Sequence, residues 1–401
     1  MNNNNHKKFL RFYLITSLLI LFIGTFFIFP NQLFDTVYYW TWSKHLAASY
    51  LDGPPMIAYA ISGITHIFGD RIASLNLLAF IFLILSGFVV YKIARIFSEK
   101  EHALMIMALW MFYPFSTIRF LYMSLTLDNV EMLFSLIIIY FACCLIKTKN
   151  NHYIYYLGFS CGLGLLAKYN VIFLIIAILI YFACDADLRY VYRRKEVYIA
   201  TIIALILFSP VLIWNYQHHF ASFIMQLTTH SYGTTNKHGM AGVLFYLTGP
   251  ILSTFFFWIL VLLYLLIRKI SIFDNNNPYS KFLFTVSIII FLIWLPISYF
   301  AHIGLNYVVV TDSLMLIVIS NVFIKHYKKI SMVFLILFML INIITIFTDS
   351  QIARQKNRNG FTNLYCRPES PFNCGITIHY SAPTEKLTVT HFNSLPSQIK
   401  N

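Results

Sequence analysis

Apolar runs long enough to cross a lipid bilayer recur along almost the whole chain, and this constrains the fold more than any other feature. A span needs about 20 apolar residues at 1.5 Å rise each. Hydropathy places about eleven such runs, near 9–29, 72–94, 102–121, 129–147, 153–167, 170–186, 197–213, 241–267, 282–301, 305–324 and 330–348. Inside hydrocarbon every backbone amide must find an internal partner, so a span is a helix or a strand of a closed barrel. The runs lack the ten-residue alternation of barrel strands, which leaves helices. Composition agrees: 59% of the residues are hydrophobic and only 11% charged, against about a quarter charged in soluble domains. The expectation is an all-α integral membrane protein.

The net charge of +14 invites a nucleic-acid reading, which its distribution excludes. With the N-terminus on the cytoplasmic side, the inside segments hold Lys7, Lys8, Arg11, Lys92, Arg95, Lys100, Lys147 and Lys149. They also hold Arg189, Arg193, Arg194, Lys195, Arg268, Lys269, Lys281, Lys325, Lys328 and Lys329. The outside loops before the tail hold only Lys44, Arg71, Arg119, Lys168 and Lys237. Basic residues retained on the cytoplasmic side set orientation, so the excess is a topology signal and puts the longer polar loops outside, on the periplasmic face of a bacterial inner membrane. The first apolar run is too long for a signal-peptide core and lacks a small-residue cleavage site, so it is expected to remain as the first span.

The chain divides into a membrane body, 1–348, and a short polar tail, 349–401, expected outside. Cys143, Cys144, Cys161 and Cys184 fall in or at the ends of spans, as small buried hydrophobes do. Cys366 and Cys374 lie in the tail beside Pro368 and Pro371. They are candidates for a disulfide in an oxidising compartment, free thiols being the alternative. Two outside segments exceed what connection requires. The first, 30–70, reads as an interfacial helix over about 36–48, then Leu51-Asp52-Gly53-Pro54-Pro55, then a short apolar helix to Phe68. Tyr38, Tyr39, Trp40 and Trp42 read as aromatic-belt residues at the headgroup level. The second, 214–239, is rich in histidine, threonine and aromatics.

Individually the candidate residues are ambiguous. Asp35 opens the first interfacial helix, where an aspartate serves as an N-cap; Asp52 sits in a turn; Asp128, with Glu131 three residues on, resembles a capping box. What they share is depth, since all fall at the outer membrane boundary. Lys168 follows an apolar span bearing Gly158, Gly162 and Gly164 on the face where basic residues are scarce. It reads either as a snorkelling lysine or as a cation facing an anion such as a lipid-linked phosphate, and Arg119 admits the same two readings. His218, His219, His230 and His238 match no metal spacing and read as polar loop residues.

Four segments in order carry a family resemblance. They are Asp35 to Leu46 with Tyr50-Leu51-Asp52-Gly53-Pro54-Pro55, then Thr126-Leu127-Asp128, then Gly162-Leu163-Gly164-Leu165-Leu166-Ala167-Lys168-Tyr169, and finally Pro210 to His218 with Ser222-Phe223. Together they resemble the bacterial membrane glycosyltransferases of the dolichyl-phosphate-mannose protein mannosyltransferase-like superfamily. That group includes the aminoarabinose and galacturonic-acid transferases of lipid A. The resemblance implies a GT-C-type helix bundle with interfacial helices in the first outside loop. It also implies a sugar donor carried on a polyprenyl phosphate and inverting transfer to a lipid or glycan acceptor. In that chemistry Asp35 is the general base. Lys168, and after it Arg119, offsets charge on the departing phosphate. Asp52 and Asp128 orient acceptor, sugar or a divalent metal ion. Tyr39, Trp42, Tyr169, Trp214, Asn215 and His218 line the donor site, with the loop from Trp214 covering the cleft.

The chain departs from the pattern at three points. Thr36 stands where relatives usually carry Glu, Gly53 where they often carry His or Lys, and Leu127 where they carry Pro. The first two leave metal coordination and donor specificity open. Two other classes are weighed against the transferase: a non-catalytic envelope protein of the same fold, and a transporter or flippase for a lipid-linked sugar.

Overall fold

The computed structural model describes residues 3–23, 33–113, 125–229, 239–250, 256–269, 277–300, 303–358, 376–381 and 386–392. Arg119, His230, His238, Cys366 and Cys374 lie outside them. The helices are α1 (Asn3–Ile23), α2 (Leu33–Lys44), α3 (Met56–Phe68), α4 (Ile72–Phe97), α5 (Lys100–Met111), α6 (Leu127–Thr148) and α7 (His152–Ala167). They continue with α8 (Val171–Cys184), α9 (Lys195–Gln217), α10 (Ala221–Thr229), α11 (Met240–Pro250), α12 (Phe256–Ile267), α13 (Pro278–Phe300) and α14 (Val309–Arg358). Among the described residues, five helical segments are long and apolar enough to cross a membrane: Ile72–Phe97, Leu127–Thr148, Lys195–Gln217, Pro278–Phe300 and Asn306–Ile341. The protein is a multi-pass helical membrane protein. Among the described residues helices fall within the anticipated runs, with α11 and α12 both in the eighth run, 241–267. The last two runs meet in α14 at a kink, where Tyr327 leaves helical geometry (φ −135°, ψ 49°).

The tail adds an element that hydropathy did not signal. Strands β1 (Ile376–Ser381) and β2 (Lys386–Phe392) form an antiparallel hairpin, Ser381 opposite Lys386 and Ile376 opposite Phe392, with an irregularity between Thr377 and Ile378.

The ends of the helices sort into two faces. On one, the Lys147 ammonium donates to the Ile96 carbonyl, Lys149 to the Asp187 carbonyl, and Lys328 pairs with Glu101 at 3.7 Å. Those lysines belong to the set assigned inside from charge bias. The opposite face carries the α2–α3 segment and the starts of α4 and α6.

Lipid tails are as apolar as leucine, so helix association in a bilayer depends on close packing at small residues. Helix α7 is built this way, lying between α6 and α9. A Cβ on Gly158 would stand 2.3 Å from the Ala200 carbonyl oxygen of α9, and one on Gly164 would meet Val171 at 2.9 Å and Ile138 of α6 at 3.2 Å. These contacts hold the end of α7, and with it Lys168, against the start of α6.

The buried apolar residues form two clusters. The larger runs through the bundle. The smaller joins Trp40 and Trp42 of α2, Ile57 and Ile61 of α3, Leu75 of α4 and Val130 of α6. This corrects the aromatic-belt reading, because Trp40 and Trp42 are only 3% and 7% exposed. A belt residue keeps its ring at the headgroups, whereas these rings fasten α2 onto the body. The Trp40 indole N–H donates to Asp70 at 3.0 Å, and Lys44 closes an ion pair on the same carboxylate. Helix α2 ends at Lys44, short of the expected 48, so Leu46 and Ser49 do not extend its face.

Gly158→Ala is expected to lower the melting temperature of the purified protein, since overpacking at such a contact costs about 1–3 kcal/mol. Gly63→Ala, where a Cβ meets nothing within 4 Å, serves as the control and leaves it unchanged or slightly raised. Thermal unfolding of both variants in one detergent checks this.

Candidate active site

The start of α6 is set by a capping box placed differently from the sequence reading. Thr126 is the N-cap: its hydroxyl accepts from the Asp128 backbone N–H at 3.2 Å, while the Asn129 side-chain oxygen accepts from the Thr126 N–H at 2.7 Å. Thr126 and Asn129 share the capping that Asp128 and Glu131 were expected to perform. Those two carboxylates, three residues apart on one helix face, are directed elsewhere.

Their partner is Lys168, the residue that ends α7. Its ammonium lies 2.5 Å from Asp128 Oδ1 and 3.0 Å from Glu131 Oε2, and the three side chains are 12%, 19% and 7% exposed, in the order Lys168, Asp128, Glu131. The Tyr307 ring covers the ammonium at 5.1 Å. Burial works against the lysine's charge, but the adjacent Asp128 and Glu131 outweigh it and hold Lys168 protonated.

Asp35 stands in the first turn of α2 and is exposed to solvent. The helix begins at Leu33, so Asp35 lies just inside it instead of capping it, still at the positive end of the helix dipole. Asp52 sits at the tip of a tight turn closed by reciprocal backbone hydrogen bonds between Tyr50 and Gly53, 3.0 and 3.3 Å long. Burial, and next the charge of Asp35, push the Asp52 carboxyl up to about 6, against a downward pull from Lys168. The phenol of Tyr39 is held well above its ordinary value first by burial and then by Asp52, Asp128 and Asp35. The three aspartates singled out from sequence therefore converge around Tyr39. Trp42 packs edge-on to Tyr39 at 5.0 Å and stacks on Tyr50 at 4.2 Å, which makes it a wall of this centre.

Tyr169 faces the other way from its neighbour Lys168. Its hydroxyl lies 3.2 Å from the Ser49 hydroxyl and 2.9 Å from that of Ser222 in α10. Gln226 of α10 donates to the Asp52 carbonyl at 2.9 Å. Helix α10 is thereby fixed over the Asp52 turn. Trp214 and Asn215 belong to the last turns of α9 and not to a loop, since the helix continues past Pro210 to Gln217. Buried Asn215 donates to the Val211 carbonyl at 3.0 Å, and His218 stacks on Trp214 at 4.1 Å. The chain reverses at His219 and Phe220, both in the left-handed region (φ 52° and 58°).

Several residues of the centre went unassigned from sequence. Glu131 looked like a capping residue, although an acidic side chain one turn into an apolar span was itself a signal. Ser49, Gln226 and Tyr307 carried no local signal, and Ser222, though part of the fourth motif, was given no role. Thr36 is buried and accepts from the Leu125 backbone N–H at 2.9 Å, so the residue standing in place of Glu ties α2 to the entry of α6. At Gly53 a Cβ would stand 3.1 Å from Leu127, which leaves little room for a larger side chain there.

The side chains do not fit a divalent ion. Among the described residues no group of three or more His, Cys, Asp or Glu is arranged to hold one, and Asp128 and Glu131 are already taken by the Lys168 ammonium.

The chain thus joins a helical membrane body to a carboxylate centre built from the α2–α3 segment and neighbouring helix ends. Residues 52–214 match the family described as dolichyl-phosphate-mannose-protein mannosyltransferase. The lipid A galacturonosyltransferase RgtD of Rhizobium johnstonii is 28% identical over 189 residues, which are 46% of this chain and 38% of that enzyme. The crystal structure of ArnT from Cupriavidus metallidurans bound to undecaprenyl phosphate superposes with a TM-score of 0.61 at 14% identity, covering 78% of this chain and 59% of ArnT. The Archaeoglobus fulgidus oligosaccharyltransferase, crystallised with zinc and sulfate, gives 0.51 at 16% identity, with 84% of this chain and 53% of that one covered. The chain thus has the GT-C fold of ArnT and is similar to lipid A-modifying transferases, while spanning about two fifths of RgtD's length.

The raised carboxyl of Asp52 fixes the sign of a pH effect. Its folded-state value, about 6, exceeds the ordinary 3.8, so the folded protein binds this proton more tightly than the unfolded chain does. Stability from this group therefore rises as pH falls from 7 through 6 towards 4. Asp52→Asn should raise the melting temperature at pH 7.5 and flatten its dependence between pH 7 and 5, as read from thermal unfolding across that range.

Proposed function

We propose that this protein is an inverting glycosyltransferase that moves a sugar from a polyprenyl-phosphate donor to a lipid or glycan acceptor, such as lipid A. The reaction takes place at the outward face of a bacterial inner membrane. The observation that carries this reading is the convergence of Asp35, Asp52 and Asp128 around Tyr39 at one end of the bundle. The names of the relatives, a lipid A galacturonosyltransferase and an ArnT bound to undecaprenyl phosphate, support the donor and acceptor classes. The basic bias of the opposite face supports a cytoplasmic N-terminus and a periplasmic site.

In a single displacement the acceptor hydroxyl attacks the anomeric carbon from the face opposite the phosphate. A bond forms between the acceptor oxygen and that carbon, and the bond from the carbon to the phosphate oxygen breaks. Its electron pair leaves with the polyprenyl phosphate, and the acceptor proton passes to a carboxylate. Asp35 takes that role, being accessible and held at a helix N-terminus beside the other carboxylates. Asp52 and Asp128 face the acceptor and the sugar hydroxyls. Trp42 and Tyr39 wall the pocket, and α10 closes over the Asp52 turn. The departing phosphate needs a cationic counter-charge.

A transport reading draws on one observation, the buried carboxylate of Asp312, neither oxygen of which is hydrogen-bonded. Asp312 lies in the first turn of α14, where the helix dipole favours an acid. One such residue does not make a transport path, so transfer remains the conclusion.

Mass spectrometry of lipid A and lipopolysaccharide tests the proposal in strains carrying the intact gene, a deletion, or Asp35→Asn. A sugar-sized mass is expected to vanish in the deletion and to stay absent, or fall by about 10²–10⁴-fold, with Asp35→Asn. Full restoration by Asp35→Asn would remove Asp35 as the base. An unchanged envelope in the deletion, with no transfer by purified protein to lipid A, would remove the acceptor class.

A further inference from the structure

We propose that Lys168 does not bind the donor phosphate but, with Glu131, positions Asp128, and that the counter-charge for the leaving phosphate comes from another cation. This deepens the transferase reading and rests on it.

The surroundings of the ammonium are the first reason. It donates a hydrogen bond to Asp128 at 2.5 Å and is ion-paired with Glu131 at 3.0 Å, and the Tyr307 ring lies over it at 5.1 Å. With the side chain 12% exposed, little of the charge faces the cleft. A lysine that receives a phosphate keeps its donors for the ligand; this one has given them to carboxylates of its own chain.

Charge is the second reason. One ionised carboxylate is enough to neutralise the ammonium, so the trio carries no net positive charge. A phosphate oxygen in contact with the ammonium would also lie close to the carboxyl oxygens paired with it, whose repulsion offsets much of the attraction. The trio is therefore a poor receptor for an anion.

The arrangement does suit Asp128. Its carboxylate extends from the second residue of α6, beside the Asp52 and Tyr39 centre. One oxygen is held by Lys168, and the other approaches the Thr126 hydroxyl at 3.2 Å. Glu131, one turn deeper, holds the ammonium from the far side. An aspartate fixed in this way can accept hydrogen bonds from a sugar or acceptor hydroxyl in one orientation. Glu131 and Lys168 touch no substrate in this assignment and act through Asp128.

The test uses the full-length protein in nanodiscs and measures undecaprenyl phosphate binding alongside transfer kinetics, for wild type, Lys168→Met and Glu131→Gln. Positioning predicts that both variants keep the phosphate lipid's Kd within about 3-fold, while kcat falls by about 10-fold or more with little change in donor KM. A direct phosphate role predicts the opposite pattern: Lys168→Met loses donor binding by about 10-fold or more, and Glu131→Gln tightens it by removing a repelling charge. That pattern would overturn the proposal. If Lys168→Met does not fold, judged by its thermal transition, Glu131→Gln decides alone, because positioning leaves its Kd within about 3-fold whereas a direct phosphate role tightens it beyond that. Failure of the wild-type protein to bind undecaprenyl phosphate would instead overturn the donor class, an outcome distinct from either pattern.

Discussion

Two carboxylates and one ammonium, drawn largely out of water where α6 begins and α7 ends, set the terms for the rest of this face of the bundle. Removing either charge type from such a group leaves the other buried and uncompensated, which is far costlier than the pair is worth. The trio therefore requires α6 and α7 to meet at one register and one distance. Gly158 and Gly164 provide the distance by letting α7 approach its two neighbours closely. The Thr126–Asn129 capping box provides the register by fixing where α6 starts. Packing and capping far from any substrate thus decide where Asp128 stands.

The α2–α3 segment brings the other half of the centre, and it is fastened by a different kind of force. Its aromatic residues are buried in an apolar cluster of their own, and its polar ties include Trp40 and Lys44 to Asp70, Thr36 to the Leu125 backbone, Ser49 to Tyr169 and the Asp52 carbonyl to Gln226. Hydrophobic burial is tolerant of direction, whereas hydrogen bonds are not. The cluster holds the segment against the body, and the polar ties fix its orientation. The departure at Thr36 acquires a meaning here, since a carboxylate at that position would lack the short hydroxyl that reaches the start of α6.

Much of this was legible in the chain before any coordinates. Spans announce themselves through hydropathy because lipid forces the backbone into helices, and the side on which the basic residues gather follows from the same argument. The ordered motifs brought Asp35, Asp52, Asp128 and Lys168 forward. What stayed hidden was tertiary. Asp128 and Glu131 were read as caps, because the three-residue spacing of a capping box is also the spacing of one helix face. Trp40 and Trp42 were read as belt residues, because an amphipathic aromatic looks the same whether its ring meets headgroups or leucines. Tyr307 lies 139 positions beyond Lys168, and no local pattern could join them.

Lys168 and Tyr169 are consecutive residues with opposite assignments, one turned to the α6 carboxylates and the other to Ser49 and Ser222. The short connection between α7 and α8 thus works as a reading frame. An inserted or deleted residue on its N-terminal side would rotate both side chains at once, leaving the carboxylates without their cation and α10 without its anchor. Substituting either residue removes one tie, whereas a change of length at this junction removes both. Across lineages descended from this chain the linker should keep its length even where its residues drift.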